Sequence, residues 1–218
     1  MMNNNVINVI SVKNLNLIIK KNIILNEVSI DFEKGKIHGL IGRNGSGKTM
    51  LMKCICGFIK PTDGEIIANG KRIGKDCDFI ESVGIIIETP GFIPYYSGYK
   101  NLKLLADLNK KIDDETVKKS MEQVGLDPNL KLHVRKYSLG MRQRLGLAQA
   151  IMENPDILIL DEPMNGLDKD GVAEMREYLK FYREQGKTII IASHSAEDIA
   201  ILCNTVCEMD NGVLSRIS

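Results

Sequence analysis

Gly42-Arg43-Asn44-Gly45-Ser46-Gly47-Lys48-Thr49 stands between a short apolar run, Ile37–Ile41, and a segment with Leu51, Cys54, Ile55 and Phe58. The run predicts a strand. The spacing i, i+3, i+4, i+7 predicts an amphipathic helix that ends near Gly57 and Pro61. In that strand–loop–helix setting the octapeptide fits the GxxxxGK[ST] pattern. Glycines let backbone N–H groups of the loop and of the helix start wrap phosphate oxygens. Lys48 is then expected to reach the β- and γ-phosphates, and the Thr49 hydroxyl to ligate Mg²⁺. Gly42, Asn44, Gly45, Ser46, Gly47, Lys48, Thr49 and Met50 are the expected nucleotide contacts.

A second group completes the chemistry. Ile157-Leu158-Ile159-Leu160-Asp161-Glu162 reads as a buried strand ending in two carboxylates, with a proline next. Asp161 is expected at the metal's hydration shell and Glu162 over an attacking water, as orienting or deprotonating base. Acidic residues often end strands, so this segment gains its weight from the loop that precedes it. Tyr137-Ser138-Leu139-Gly140-Met141-Arg142-Gln143-Arg144-Leu145 forms a third group. Ser138 reads as the N-cap of a helix whose apolar face includes Leu147, Ala150 and Ile151. Gly140 leaves the first turn bare, which suits an anion; taken alone, the segment fits an ordinary capped helix better. Two phosphate-binding ends in one chain suggest two chains that share each nucleotide.

Around these groups, residues 6–33 alternate apolar and polar as half-buried antiparallel strands do, and 64–73 read as a strand pair about Asn69-Gly70. Val83–Ile87 and Thr188–Ala192 are further buried strands. Helices are predicted over Asn101–Leu108, Glu115–Val124, Leu139–Glu153 and roughly 170–184, with a closing hairpin at Asp210-Asn211-Gly212. Strands that alternate with helices imply a parallel α/β core, with the helical stretch 91–154 as an inserted lobe.

The 218 residues hold 29 Lys and Arg against 28 Asp and Glu, a net charge of +1. That balance argues against a general nucleic-acid grip. No apolar run approaches the roughly 18–20 residues of a membrane span. The start, MMNNNVINVISVKNL, has no basic and apolar leader pattern, so a cytosolic chain is expected. Cys54, Cys56, Cys77, Cys203 and Cys207 form no CxxC pair and read as buried or half-buried thiols.

The ordered series GRNGSGKT, YSLGMRQRL, ILILDEP, NGLD and ASH resembles the nucleotide-binding subunit of ATP-binding-cassette (ABC) transporters over nearly the whole chain. The resemblance implies an α/β fold: a P-loop NTPase core with a RecA-like parallel sheet, an N-terminal antiparallel β subdomain and an inserted α-helical subdomain. One ATPase domain, 1–218, would divide into a core of 1–90 and 155–218 and a helical part of 91–154. ATP would lie in a head-to-tail dimer, with itself or a related subunit, between the Gly42–Thr49 loop of one chain and Ser138, Gly140 and Met141 of the other. Asp168, in Asn165-Gly166-Leu167-Asp168, would cross that interface, and His194 would contact the γ-phosphate and support the Glu162 water. Lys48, Glu162 and His194 are thus the catalytic candidates.

Two positions depart from the family pattern. Where a Gln usually touches Mg²⁺ and couples to the membrane partner, the chain has Glu88, counted as a metal ligand beside Thr49 and Asp161. Where an aromatic usually stacks on adenine, it has Ile19. Leu139, where many members carry Gly, is milder. Glu88 together with SLGM resembles the lantibiotic-immunity ATPases, with bacitracin-type exporters as the alternative. The implied setting is cytoplasmic, peripheral on the inner face of a bacterial membrane, beside permease subunits on separate chains. A soluble ABC ATPase acting on ribosomes or DNA is the competing class; the single motif set, the lack of heptads and the near-zero charge disfavour it.

Overall fold

The computed structural model describes residues 7–88 and 91–217; Met1–Val6, Thr89, Pro90 and Ser218 lie outside it, including the parts of the leader and strand expectations that fall there. Two sheets organise the chain. The first is antiparallel with strand order β2-β1-β4-β5, built from β1 (Asn8–Ile19), β2 (Asn22–Glu33), β4 (Asp63–Ala68) and β5 (Lys71–Arg72). The second has the order β10-β9-β3-β8-β7-β6, from β3 (Ile37–Ile41), β6 (Val83–Ile86), β7 (Ile157–Asp161), β8 (Thr188–Ala192), β9 (Thr205–Asp210) and β10 (Val213–Arg216). All neighbours in the second sheet run parallel except β9 and β10, which form the closing hairpin.

The unbroken apolar runs in β7 and β8 reflect a sheet covered on both faces. Leu158, Leu160, Ile189 and Ile191 pack into one core with the helices α2 (Gly98–Asn109), α3 (Asp114–Gln123), α4 (Leu139–Ile151) and α5 (Lys169–Glu184). Ile157, Ile159, Ile190 and Ala192 face the opposite core, which they share with α1 (Lys48–Cys56) and the antiparallel sheet. One-residue alternation along each strand therefore feeds two cores.

Helices α2, α3 and α4 lie between β6 and β7 in the chain, and each begins on a side-chain cap: Ser97, Asp113 and Ser138. The sequence reading missed α6 (Ala196–Leu202). This helix is only seven residues long, too short for a helical period to emerge; Ser195 caps it, and its buried Asp198 pairs with Arg176 of α5. Cys54, Cys56 and Cys207 are buried, while Cys77 and Cys203 are half-buried. Burial pushes the thiols of Cys54, Cys56 and Cys203 up to about 11, about 12 and about 12, which disfavours their thiolates at neutral pH. No helix among the described residues is long and apolar enough to cross a membrane.

Candidate nucleotide site

Central strand β3 delivers the glycine-rich loop at its C-terminal edge, where a parallel sheet opens a crevice. At Gly42 the backbone takes φ +142°, and a Cβ there would stand 2.2 Å from the Met209 carbonyl oxygen. Helix α1 then starts at Lys48 from a Gly47 cap that offers no side-chain acceptor, which leaves its first N–H groups free for an anion. The Lys48 ammonium is held over the loop, donating to the carbonyls of Gly42 (2.7 Å) and Arg43 (3.1 Å). The Ser46 hydroxyl is buried without a partner among the described residues. An orphaned hydroxyl, a buried cation and bare helix N–H groups together suit a polyanion.

Asp161 and Glu162 reach the same place from β7. The Thr49 hydroxyl donates to Asp161 Oδ2 at 2.6 Å, a juxtaposition of two hard oxygen donors at the loop's end. Glu162 has φ +51°, its N–H bonds to the Ala192 carbonyl at 2.9 Å, and its own carbonyl accepts from Gln143 at 3.4 Å. These bonds from β8 and α4 hold the Glu162 backbone at the sheet edge. His194, two residues past β8, donates from Nδ1 to Glu162 Oε2 at 2.7 Å. Ile24 and Asn44 through Met50, with Asp161 and Glu162, line one cavity of about 470 Å³. The loop, the two carboxylates and, through Glu162, the histidine are therefore brought together.

Ser138, Gly140, Met141 and Asp168 sit elsewhere. The Ser138 Oγ accepts the Met141 N–H at 3.1 Å and caps α4; Asp168 Oδ1 accepts the Gly171 N–H at 2.9 Å and caps α5. A Cβ on Gly140 would lie 2.8 Å from the Gly166 carbonyl oxygen, so the α4 start rests on the Asn165–Asp168 loop. This pair of helix starts lies outside the lining of the loop cavity.

Glu88 follows β6 with φ +61°, and its carboxylate is bonded to Lys53 Nζ of α1 at 2.5 Å. It does not line the cavity, and the pairing with Lys53, 35 residues away in sequence, leaves no local pattern to read. Ile19 ends β1 at the hairpin turn and is exposed; the apolar side chain beside the phosphate loop is Ile24 on β2. Strand alternation marks both as apolar and could not say which end of the hairpin meets the loop.

Residues 25–165 match the ABC transporter family profile. The chain is 47% identical over 205 residues to the uncharacterized ABC transporter ATP-binding protein YybJ of Bacillus subtilis, covering 94% of both chains. It is 42% identical to the bacitracin transport ATP-binding protein BcrA of Enterococcus faecalis, over 94% of this chain and 68% of that one. It is 36% identical to the lantibiotic transport ATP-binding protein SrtF of Streptococcus pyogenes, over 90% and 85%. A bacterial ABC transporter cassette solved as a dimer superposes with a TM-score of 0.85 at 21% identity, over 95% of this chain and 97% of that one, which shows a shared fold.

Proposed function

Since the chain belongs to the ABC transporter family, and is by that membership an ATP-hydrolysing transport subunit, we propose that it drives export of a lantibiotic-type antimicrobial peptide. The kinship with SrtF and BcrA supports this substrate class, and a bacitracin-type substrate is the second reading, favoured by the 42% identity to BcrA. The observation that carries the chemistry is the convergence of Lys48, the Thr49–Asp161 pair and the Glu162–His194 pair around one cavity.

In this reading the loop N–H groups and Lys48 bind the phosphates of ATP. Ser138, Gly140 and Met141 of a second copy or related subunit close over the γ-phosphate, and Asp168 belongs to the same closing surface. Glu162 accepts a proton from the attacking water, and His194, bonded to its other side, fixes the carboxylate's orientation. Thr49 and Asp161 fit Mg²⁺, which keeps waters and takes only one or two protein ligands beside phosphate oxygens. Bound there, the cation would neutralise phosphate charge; Glu88 would have to exchange Lys53 for it to act as a ligand. The hydrolysis cycle would drive permease subunits on separate chains, with this chain peripheral on the cytoplasmic face of the membrane.

A strain lacking the chain, challenged with a panel of lantibiotics and bacitracin, tests the export reading. Sensitivity rescued by wild type and not by Lys48→Ala is expected for lantibiotics. Rescue seen with bacitracin alone would favour the second reading, and unchanged survival against the whole panel would contradict both.

A further inference from the structure

The Arg144 side chain leaves α4 less than two turns past Ser138 and is 19% exposed. Its Nη1 donates to the Val124 carbonyl at the end of α3 at 2.7 Å and lies 2.8 Å from Glu174 Oε2 on α5. Two glycines flank the guanidinium. A Cβ on Gly125 would come within 2.5 Å of Nη1, and one on Gly171 within 2.8 Å of Nη2. Gly171 is also the residue whose N–H bonds to Asp168. The guanidinium thus lies against the very turn that Asp168 caps.

A second contact sits at the tip. Gly140 rests on the Gly166 carbonyl, and a Cβ on Gly166 would stand 2.4 Å from the Leu139 side chain. The first half of α4 and the start of α5 therefore pack together at two separate points, which opposes both sliding and rotation of one against the other. The exposed Glu174 carboxylate contributes little to this tie. The bond from a charged donor to the orphan carbonyl at the α3 end instead holds the guanidinium in place, and with it the surface against which Gly171 and the Asp168-capped turn of α5 pack.

We propose that Arg144 is a positioning residue for ATP hydrolysis: it locks Ser138, Gly140 and Met141 to Asp168, so that the two groups offered to a partner's nucleotide move as one body. The proposal rests on the shared-nucleotide reading above. Arg144 touches neither the loop nor Glu162, so its loss leaves nucleotide binding by the single chain intact while it loosens closure.

The test uses Arg144→Ala, Arg144→Lys and Gly171→Ala, the last crowding both the guanidinium at 2.8 Å and the Asp168 carboxylate at 2.9 Å. Fluorescent-nucleotide affinity and the melting temperature are measured beside kcat, KM and ATP-dependent dimerisation in the Glu162→Gln background. Arg144→Ala and Gly171→Ala are expected to keep nucleotide affinity within about twofold and to lower kcat about tenfold, with weaker dimerisation. Arg144→Lys, with one donor in place of a fork, should recover part of the loss. Losses of kcat that track the fall in melting temperature across all three variants would mean a merely structural role and overturn the proposal. If Glu162→Gln with Arg144 intact stays monomeric in ATP, the second-copy form of the shared-site reading falls and takes this proposal with it. If it dimerises and the Arg144 variants dimerise and turn over equally well, the reading stands and this proposal alone fails.

Discussion

At Gly42 the left-handed φ of +142° and the Met209 carbonyl, 2.2 Å from any added Cβ, admit no other residue without a shift of backbone. Gly42→Ala should therefore lower stability by about 1–3 kcal/mol and disturb the loop together; urea titration reads the first and ATP affinity the second. Lys48→Ala acts differently. It removes a charged donor to phosphate and should weaken ATP binding about tenfold or more by calorimetric titration, and retained affinity would count against the loop's role. These residues were legible because their chemistry is written in consecutive letters. Ile24 and Lys53, the partner of Glu88, were not, since each depends on a contact made across the chain after folding.

Among the elements, β3, β7 and β8 were readable as continuous apolar runs, since both faces of their sheet are covered. Leu160, fully buried directly before the Asp161–Glu162 pair, ties that legibility to the site. Leu160→Ala should cost about 2–5 kcal/mol in chemical denaturation and slacken the strand that carries both carboxylates. Ser138→Ala should cost only about 1 kcal/mol, the value of a lost helix cap, while it lowers turnover more than stability. Equal losses of turnover and stability would reduce Ser138 to a cap. Helix α6 escaped the sequence reading because seven residues and a buried Arg176–Asp198 pair replace periodicity with a tertiary contact.

Across the whole molecule, no helix among the described residues is long and apolar enough to cross a membrane, and the chain belongs to the ABC transporter family. The two sheets also meet through a pH-sensitive residue. His38 of β3 is buried between the Thr205 hydroxyl at 2.7 Å and the Glu33 carbonyl at 3.0 Å, and burial lowers its pKa below the ordinary 6.5. The unfolded chain therefore binds this proton more readily than the folded one. Its stabilising contribution is complete above about pH 6.5 and is lost as pH falls. Urea midpoints should decline over that range, and His38→Gln should flatten the decline.

The most direct test is ATP turnover by the purified chain beside its Glu162→Gln variant, followed as phosphate release at saturating ATP and Mg²⁺. With Glu162 as the base held by His194, the variant should bind ATP normally and lose about 10²–10⁴-fold in kcat. Turnover by Glu162→Gln within twofold of wild type would contradict the account.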